Sequence, residues 1–139
     1  MAQLMQFDLV SPERKLASVK ATQVQIPGAE GDLTAMAGHE PTILTLRPGV
    51  LTVDGPDGTD YFAVIGGFAE IGAEGVSVLA ERAVPRGELS KEMINEMIAE
   101  AQDAHDNAHP DVAHATAKFL ADLVAMGTHI GLDPNSPSL

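Results

Sequence analysis

Apolar and polar residues alternate through the first half of the chain. Met5, Phe7 and Leu9 fall on one face of Gln3 to Val10, with Gln6 and Asp8 on the other. That two-residue period predicts a half-buried strand. Ser11-Pro12-Glu13-Arg14 reads as a turn. Ala21 to Ile26 alternates again, with Thr22, Val24 and Ile26 opposite Gln23 and Gln25. Short extended segments follow at Thr42 to Leu46 and Val50 to Asp54, and then at Thr59 to Ile65 after the turn Asp54-Gly55-Pro56-Asp57-Gly58. Gly66-Gly67 punctuates, Phe68 to Ile71 is extended, Gly72 to Gly75 turns, and Val76 to Ala80 returns. Short strands with frequent turns predict a β-sandwich or barrel.

The period changes near Pro85-Arg86-Gly87. Leu89, Met93, Ile94, Met97, Ile98 and Ala101 share one side of a helix whose other side holds Glu92, Glu96, Glu100 and Asp103. Ser90 is placed to cap it. His109-Pro110-Asp111 interrupts the pattern. A second helix is expected from Asp111 to Met126, with Val112, Ala115, Phe119, Leu120, Leu123 and Val124 inward and Gly127 as its stop. The segment Gly131 to Leu139, with Pro134 and Pro137, is expected to be disordered. Strands followed by two helices make an α+β order. The expected units are a β-sandwich over residues 1–86 and an antiparallel helical hairpin over 87–139.

Composition narrows the partners. Eight basic against 20 acidic residues give a net charge of −12, which disfavours nucleic acid and anionic membrane surfaces. Cysteine is absent, so disulfides and thiolate metal sites are excluded. No cationic stretch leads into an apolar run as in a signal peptide, and no apolar run approaches the roughly 20 residues of a spanning helix. The expectation is a soluble chain without direct membrane insertion.

Candidate chemistry is sparse. No phosphate loop, His-Glu-x-x-His pair or Gly-x-Ser-x-Gly elbow is present. His105, His109 and His114 have spacings that zinc could use, but no fixed fourth ligand accompanies them. Glu30 and Asp32 flank Gly31 as a carboxylate pair, yet an exposed turn offers neither a cleft nor a positioned substrate for acid–base work. The reading is therefore no catalytic residue, no cofactor and no metal. His39 has a plain reading as a turn histidine bonded to nearby backbone, and a sharper one as an interface contact.

The stretch from Gln25 to Pro41 is the most distinctive. Gly28, Gly31 and Gly38 with Pro27 and Pro41 suit tight surface turns rather than helix. Ile26-Pro27-Gly28-Ala29-Glu30-Gly31-Asp32-Leu33, then Gly38-His39-Glu40-Pro41, then Leu46-Arg47-Pro48-Gly49-Val50-Leu51, resemble the epsilon subunit of the rotary ATP synthase, bacterial type. Ile65-Gly66-Gly67-Phe68-Ala69-Glu70-Ile71 and Val76-Ser77-Val78-Leu79-Ala80 add to that resemblance. It implies a flattened sandwich of about ten short strands before the hairpin. It implies a non-catalytic central-stalk subunit that couples rotation of the gamma subunit and c ring to ATP synthesis. The setting implied is the cytoplasmic face of the bacterial inner membrane, reached through the complex.

By the same resemblance, Glu30, Gly31 and Asp32 face the c ring, and His39 with Glu40 meets gamma. The hairpin could reach the alpha/beta head. In the family that hairpin can inhibit hydrolysis and carries an ATP-sensing [I/L]-D-x-x-R-A motif. Here Leu89-Ser90-Lys91-Glu92-Met93-Ile94 puts Ser90 and Met93 where Asp and Arg are expected. The second helix holds Lys118 alone against Asp111 and Asp122. Weak or absent inhibition and ATP binding are therefore expected. The rival readings are a sandwich that binds a sugar, peptide or protein, which needs an aromatic-lined groove, and a small metal-dependent barrel enzyme.

Overall fold

A computed structural model describes residues 3–132. The chain divides into two compact units, Met1–Arg86 and Gly87–Leu139. The first contains β1 (Met5–Val10), β2 (Lys15–Ala21), β3 (Gln23–Gly28), β4 (Gly31–Ala35), β5 (Thr42–Thr45), β6 (Gly49–Gly55), β7 (Gly58–Ile71) and β8 (Gly75–Pro85). Their order is β2-β1-β8-β7-β6-β3-β4, with β5 also on β7. β1 and β8 run parallel, and the other pairings are antiparallel.

β7 turns this one connected sheet into a sandwich. Its residues 59–64 pair with β6, and Phe68 to Ile71 pair with β5, while β8 follows both halves. Gly66 (φ 76°) and Gly67 (φ 107°) bend the strand between those halves without breaking it. One leaf then holds β4, β3 and β6, and the other β5, β1 and β2. Thr22 N–H donates to Asp54 O at 2.7 Å, tying the β2–β3 corner to β6.

Inward residues of both leaves form one apolar core, including fully buried Phe7, Leu9, Val24, Leu51, Val64 and Val78. With no tryptophan and few other aromatics, it is filled by aliphatic side chains whose burial contributes about 1.5–3 kcal/mol each.

Among the described residues there are eight strands, where the family resemblance implies about ten. Gly66-Gly67 reads as a strand break because two glycines weaken an isolated strand, yet here pairing on both edges of β7 carries it through. β8 likewise runs to Pro85 rather than stopping at Ala80. β2 is an addition. Leu16, Ala17 and Val19 do not alternate, and only pairing with β1 makes the segment a strand.

At the β6–β7 turn, the Thr59 hydroxyl (2.6 Å) and the Gln23 amide (2.7 Å) both donate to the Asp54 carboxylate. These bonds hold its carboxyl below the ordinary value of 3.8, and a bond from Ser18 does the same for Asp8. A depressed folded-state value gives stability that is present above the ordinary value and is lost as pH falls through the folded one. Wild type should therefore exceed Asp54→Asn in stability at neutral pH, and the difference should close at pH values below 3.8. Urea denaturation across a pH series measures it, and a pH-independent gap would contradict the assignment.

The second unit contains α1 (Lys91–Asp106) and α2 (Ala113–His129). Ser90 caps α1, its Oγ accepting from Met93 N–H at 3.1 Å. Ile94, Met97, Ile98 and Ala101 are buried on one side of α1. The α2 boundaries differ from those expected. Pro110–Val112 is a single 3-10 turn, and the α-helix starts at Ala113. Val112 and Ala115 are exposed, not inward, while Leu120, Leu123 and Met126 are buried.

Gly127 does not stop α2. It is a buried helical position, and the helix runs to His129 and is closed beyond its cap by Gly131 (φ 83°). There Leu132 N–H donates to Gly127 O (2.9 Å) and Gly131 N–H to Thr128 O (3.1 Å), a Schellman closure. The two helices are joined by His105. Thr116 Oγ1 donates its proton to Ala113 O, so it accepts from His105 Nδ1–H at 2.7 Å. Residues 133–139, part of the segment expected to be disordered, lie outside the described residues.

Candidate functional site

β3 and β4 meet at the Gly28↔Gly31 pair, leaving Ala29 and Glu30 as a two-residue loop. Gly31 has φ 141°, which side-chain-bearing residues rarely adopt. Glu30 projects into solvent. This loop and the residues flanking it are stitched to the segment 45–47. Ala29 N–H donates to Thr45 O (2.8 Å), and Arg47 N–H to Pro27 O (3.0 Å). The Arg47 guanidinium spreads over the turn, donating to Gly28 O at 2.6 Å and to Asp32 Oδ1 at 2.5 Å. Leu46 N–H in turn donates to Gly67 O at the bend of β7 (2.9 Å).

The Asp32 side chain is 75% exposed and Arg47 is 29% exposed. An ion pair of that exposure contributes only about 0.2–1 kcal/mol to stability. Beside the turn lies a groove of about 650 Å³ between Gly28–Leu33 and Ile43–Thr45.

Gly38-His39-Glu40-Pro41 forms a separate turn. Gly38 N–H donates to Ala73 O (2.9 Å), which joins it to the β7–β8 turn. His39 Nδ1 lies 2.7 Å from Glu40 O. A carbonyl oxygen only accepts, so Nδ1 carries the proton and the histidine is held by neighbouring backbone. Both expected interface segments are thus ordered turns on one sandwich, each anchored to a different partner. Thr42 and Ile43 of β5 follow directly from the second.

The outer face of β5, β7, β8 and β1 carries a line of apolar side chains. Val10 pairs with Leu79, and Leu79 pairs with Phe68. These are 37%, 45% and 44% exposed, and Ile43, diagonal to Phe68 across β5, is 72% exposed. Phe68 thus stands outward, on the solvent side of β7. The signal was available: Ala69 and Ile71 face inward, so alternation puts Phe68 outward with Glu70. Tyr61 is also partly exposed, with the Arg86 guanidinium 4.0 Å over its ring. Arg47 is a residue that sequence reasoning misses. The sequence shows a cation before Pro48-Gly49 but not the carboxylate that it meets.

In the second unit the histidines have separate tasks. His105 bonds to Thr116, and His109 Nδ1 accepts from Asp111 N–H at 3.1 Å. Among the described residues, no three His, Cys, Asp or Glu side chains form a cluster able to hold a metal. The segment 89–94 is occupied by structure. Leu89 is buried, and Ser90 spends its hydroxyl on the cap of α1. Lys118 is paired with Asp122 at 2.7 Å. No helix among the described residues is long and apolar enough to cross a membrane.

The family described as ATP synthase, Delta/Epsilon chain, beta-sandwich domain matches residues 4–86. The ATP synthase epsilon chain of Rhodobacter capsulatus is 61% identical over 132 residues, spanning 95% of this chain and 100% of that one. The epsilon chain of Paracoccus denitrificans is 55% identical over 142 residues, spanning 97% and 96%. A chain of the Euglena gracilis mitochondrial ATP synthase, solved with its c-ring, superposes at TM-score 0.66 and 25% identity, covering 88% of this chain and 80% of that one. A chain of the Tetrahymena thermophila mitochondrial enzyme shares the fold at TM-score 0.64 and 17% identity, covering 91% and 96%.

Proposed function

Because the chain belongs to the epsilon-chain family of the ATP synthase, we propose that it is a central-stalk subunit that couples a rotating gamma subunit to the c ring as a stiff, non-catalytic joint. The observation that carries this is the exposed apolar line Val10–Leu79–Phe68 with Ile43 on the sandwich's outer face. Such a patch on a chain of net charge −12 marks a protein interface. We assign it, with the adjoining His39–Glu40 turn, to gamma. The Glu30-Gly31-Asp32 turn, on the β3–β4 hairpin, is assigned to the c ring. The close-packed core between these surfaces resists compression and so transmits torque. The complex would hold the subunit at the cytoplasmic face of the membrane.

The groove beside the β3–β4 turn carries no aromatic side chain, so a sugar-binding reading has no support there. The test is association of the full chain with purified gamma. Wild type should bind, and Phe68→Asp should weaken binding at least tenfold, since it buries a charge at the patch centre. Equal binding by the two would refute the assignment.

The hairpin departs from an inhibitory design. Residues 87–139 carry Lys91 and Lys118 against nine acids (Glu88, Glu92, Glu96, Glu100, Asp103, Asp106, Asp111, Asp122, Asp133), a net charge of 2 − 9 = −7. Such a surface repels an acidic partner, and no arginine is there to fork onto phosphate. Calorimetry should detect no micromolar ATP affinity. Deleting Leu89 to Leu139 should leave the latency of ATP hydrolysis in the complex unchanged, and a rise in hydrolysis would contradict this.

A further inference from the structure

Glu30, Gly31 and Asp32 share one turn, but their side chains are not equivalent. The Asp32 carboxylate is held by Arg47, whose second guanidinium nitrogen is on the Gly28 carbonyl at the other end of the loop. One planar cation thus bridges both strands of the hairpin just behind its tip. Its own backbone N–H is on Pro27 O, and the preceding residue is bonded to Gly67 O at the bend of β7. A continuous path of hydrogen bonds runs from the tip to the middle of the sheet. Asp32 and Arg47 cancel in charge, and Glu30 is exposed at the tip.

We infer that Arg47 is the positioning residue of this turn, and that Glu30, rather than Asp32, is the charge the turn presents to its partner. This rests on the assignment of the turn to the c ring. The guanidinium suits the task because its donors are fixed in a plane and can hold two acceptors at once. A two-residue loop closed by glycines at both ends is prone to twist, and besides the guanidinium only the Ala29 N–H bond to Thr45 O is seen, among the described residues, to hold it. The recognising chemistry on the ring is accordingly a cation or an N–H donor opposite Glu30, with Asp32 acting from behind through Arg47.

The test has two arms. In the free full-length protein, R47M should raise the amide mobility of Ala29 to Gly31 by NMR relaxation while the matching Pro56–Gly58 turn stays unchanged. Unaltered mobility would overturn the positioning role, whatever happens at the ring. In the second arm, binding to purified c ring in detergent is titrated at several ionic strengths. D32N/R47M removes both charges of the pair and keeps the net charge. It should bind about three- to tenfold more weakly with the wild-type dependence on salt. E30Q should lose most of that dependence. Loss of the salt dependence in D32N/R47M and its retention in E30Q would place the contact at the Arg47–Asp32 pair and overturn the inference. Wild type failing to bind the ring at any ionic strength would refute the ring assignment itself, while the mobility arm would still report on Arg47.

Discussion

Gly67→Ala is expected to cost the sandwich roughly 3–5 kcal/mol and to lower its melting temperature by about 15 °C or more. Gly67 sits at φ 107°, where an added Cβ would lie 2.1 Å from Leu79 O and 2.8 Å from Ala80 Cα. Both are backbone atoms of the paired strand β8, so neither can rotate away. Relief requires prising β7 from β8 at the bend where β7 passes from β6 to β5. Gly67 O also accepts from Leu46 N–H, so a shift there propagates to Arg47 and the tip turn. Against a typical domain stability of about 5–15 kcal/mol, this is a large fraction. Urea or thermal denaturation of the full chain measures it. A melting temperature within a few degrees of wild type would show that the bend is soft and that the account of β7 is wrong.

Gly31→Leu is expected to act on function rather than on folding. At φ 141° any side chain is strained, but an added Cβ at Gly31 meets nothing within 4 Å. The cost to the free protein is therefore backbone strain of about 1–3 kcal/mol. Gly58 provides a matched control. It closes the β6–β7 turn as Gly31 closes the β3–β4 turn, at φ 132° and with equally open space. Gly58→Leu should lose a similar amount of stability and leave coupling intact. If the Glu30–Asp32 turn seats on the c ring, the leucine at position 31 holds the surfaces apart. ATP-driven proton pumping by reconstituted complex should then fall tenfold or more while ATP hydrolysis persists. Equal pumping by the two variants would remove this turn from the ring interface.

Local patterns carried most of the architecture. Alternation at Gln3 to Val10, the Asp54–Gly58 turn and the apolar side of α1 depend on neighbours along the chain, and Ser90 caps from three residues away. The distinctive turns around Gly31 and His39 were also visible, because turn chemistry is local. The errors lie where long-range pairing outweighed local preference. Gly66-Gly67 looked like an end and is a bend, because β8 holds both sides of it. Gly127 looked like a helix stop, but it is a buried helical position, and α2 runs on to His129 before the left-handed Gly131 closes it.

The sequence by itself determined that strands precede two helices, and with that most of the punctuated turns and the acidity of the hairpin, since each depends on residues within a few positions of one another. Tertiary structure alone decided which charges are free. Asp32 and Arg47 are 15 residues apart and become partners only because Leu46 bridges to Gly28. It also decided that Val10, Leu79, Phe68 and Ile43 make one surface, because their neighbourhood is a matter of strand register and not of distance along the chain.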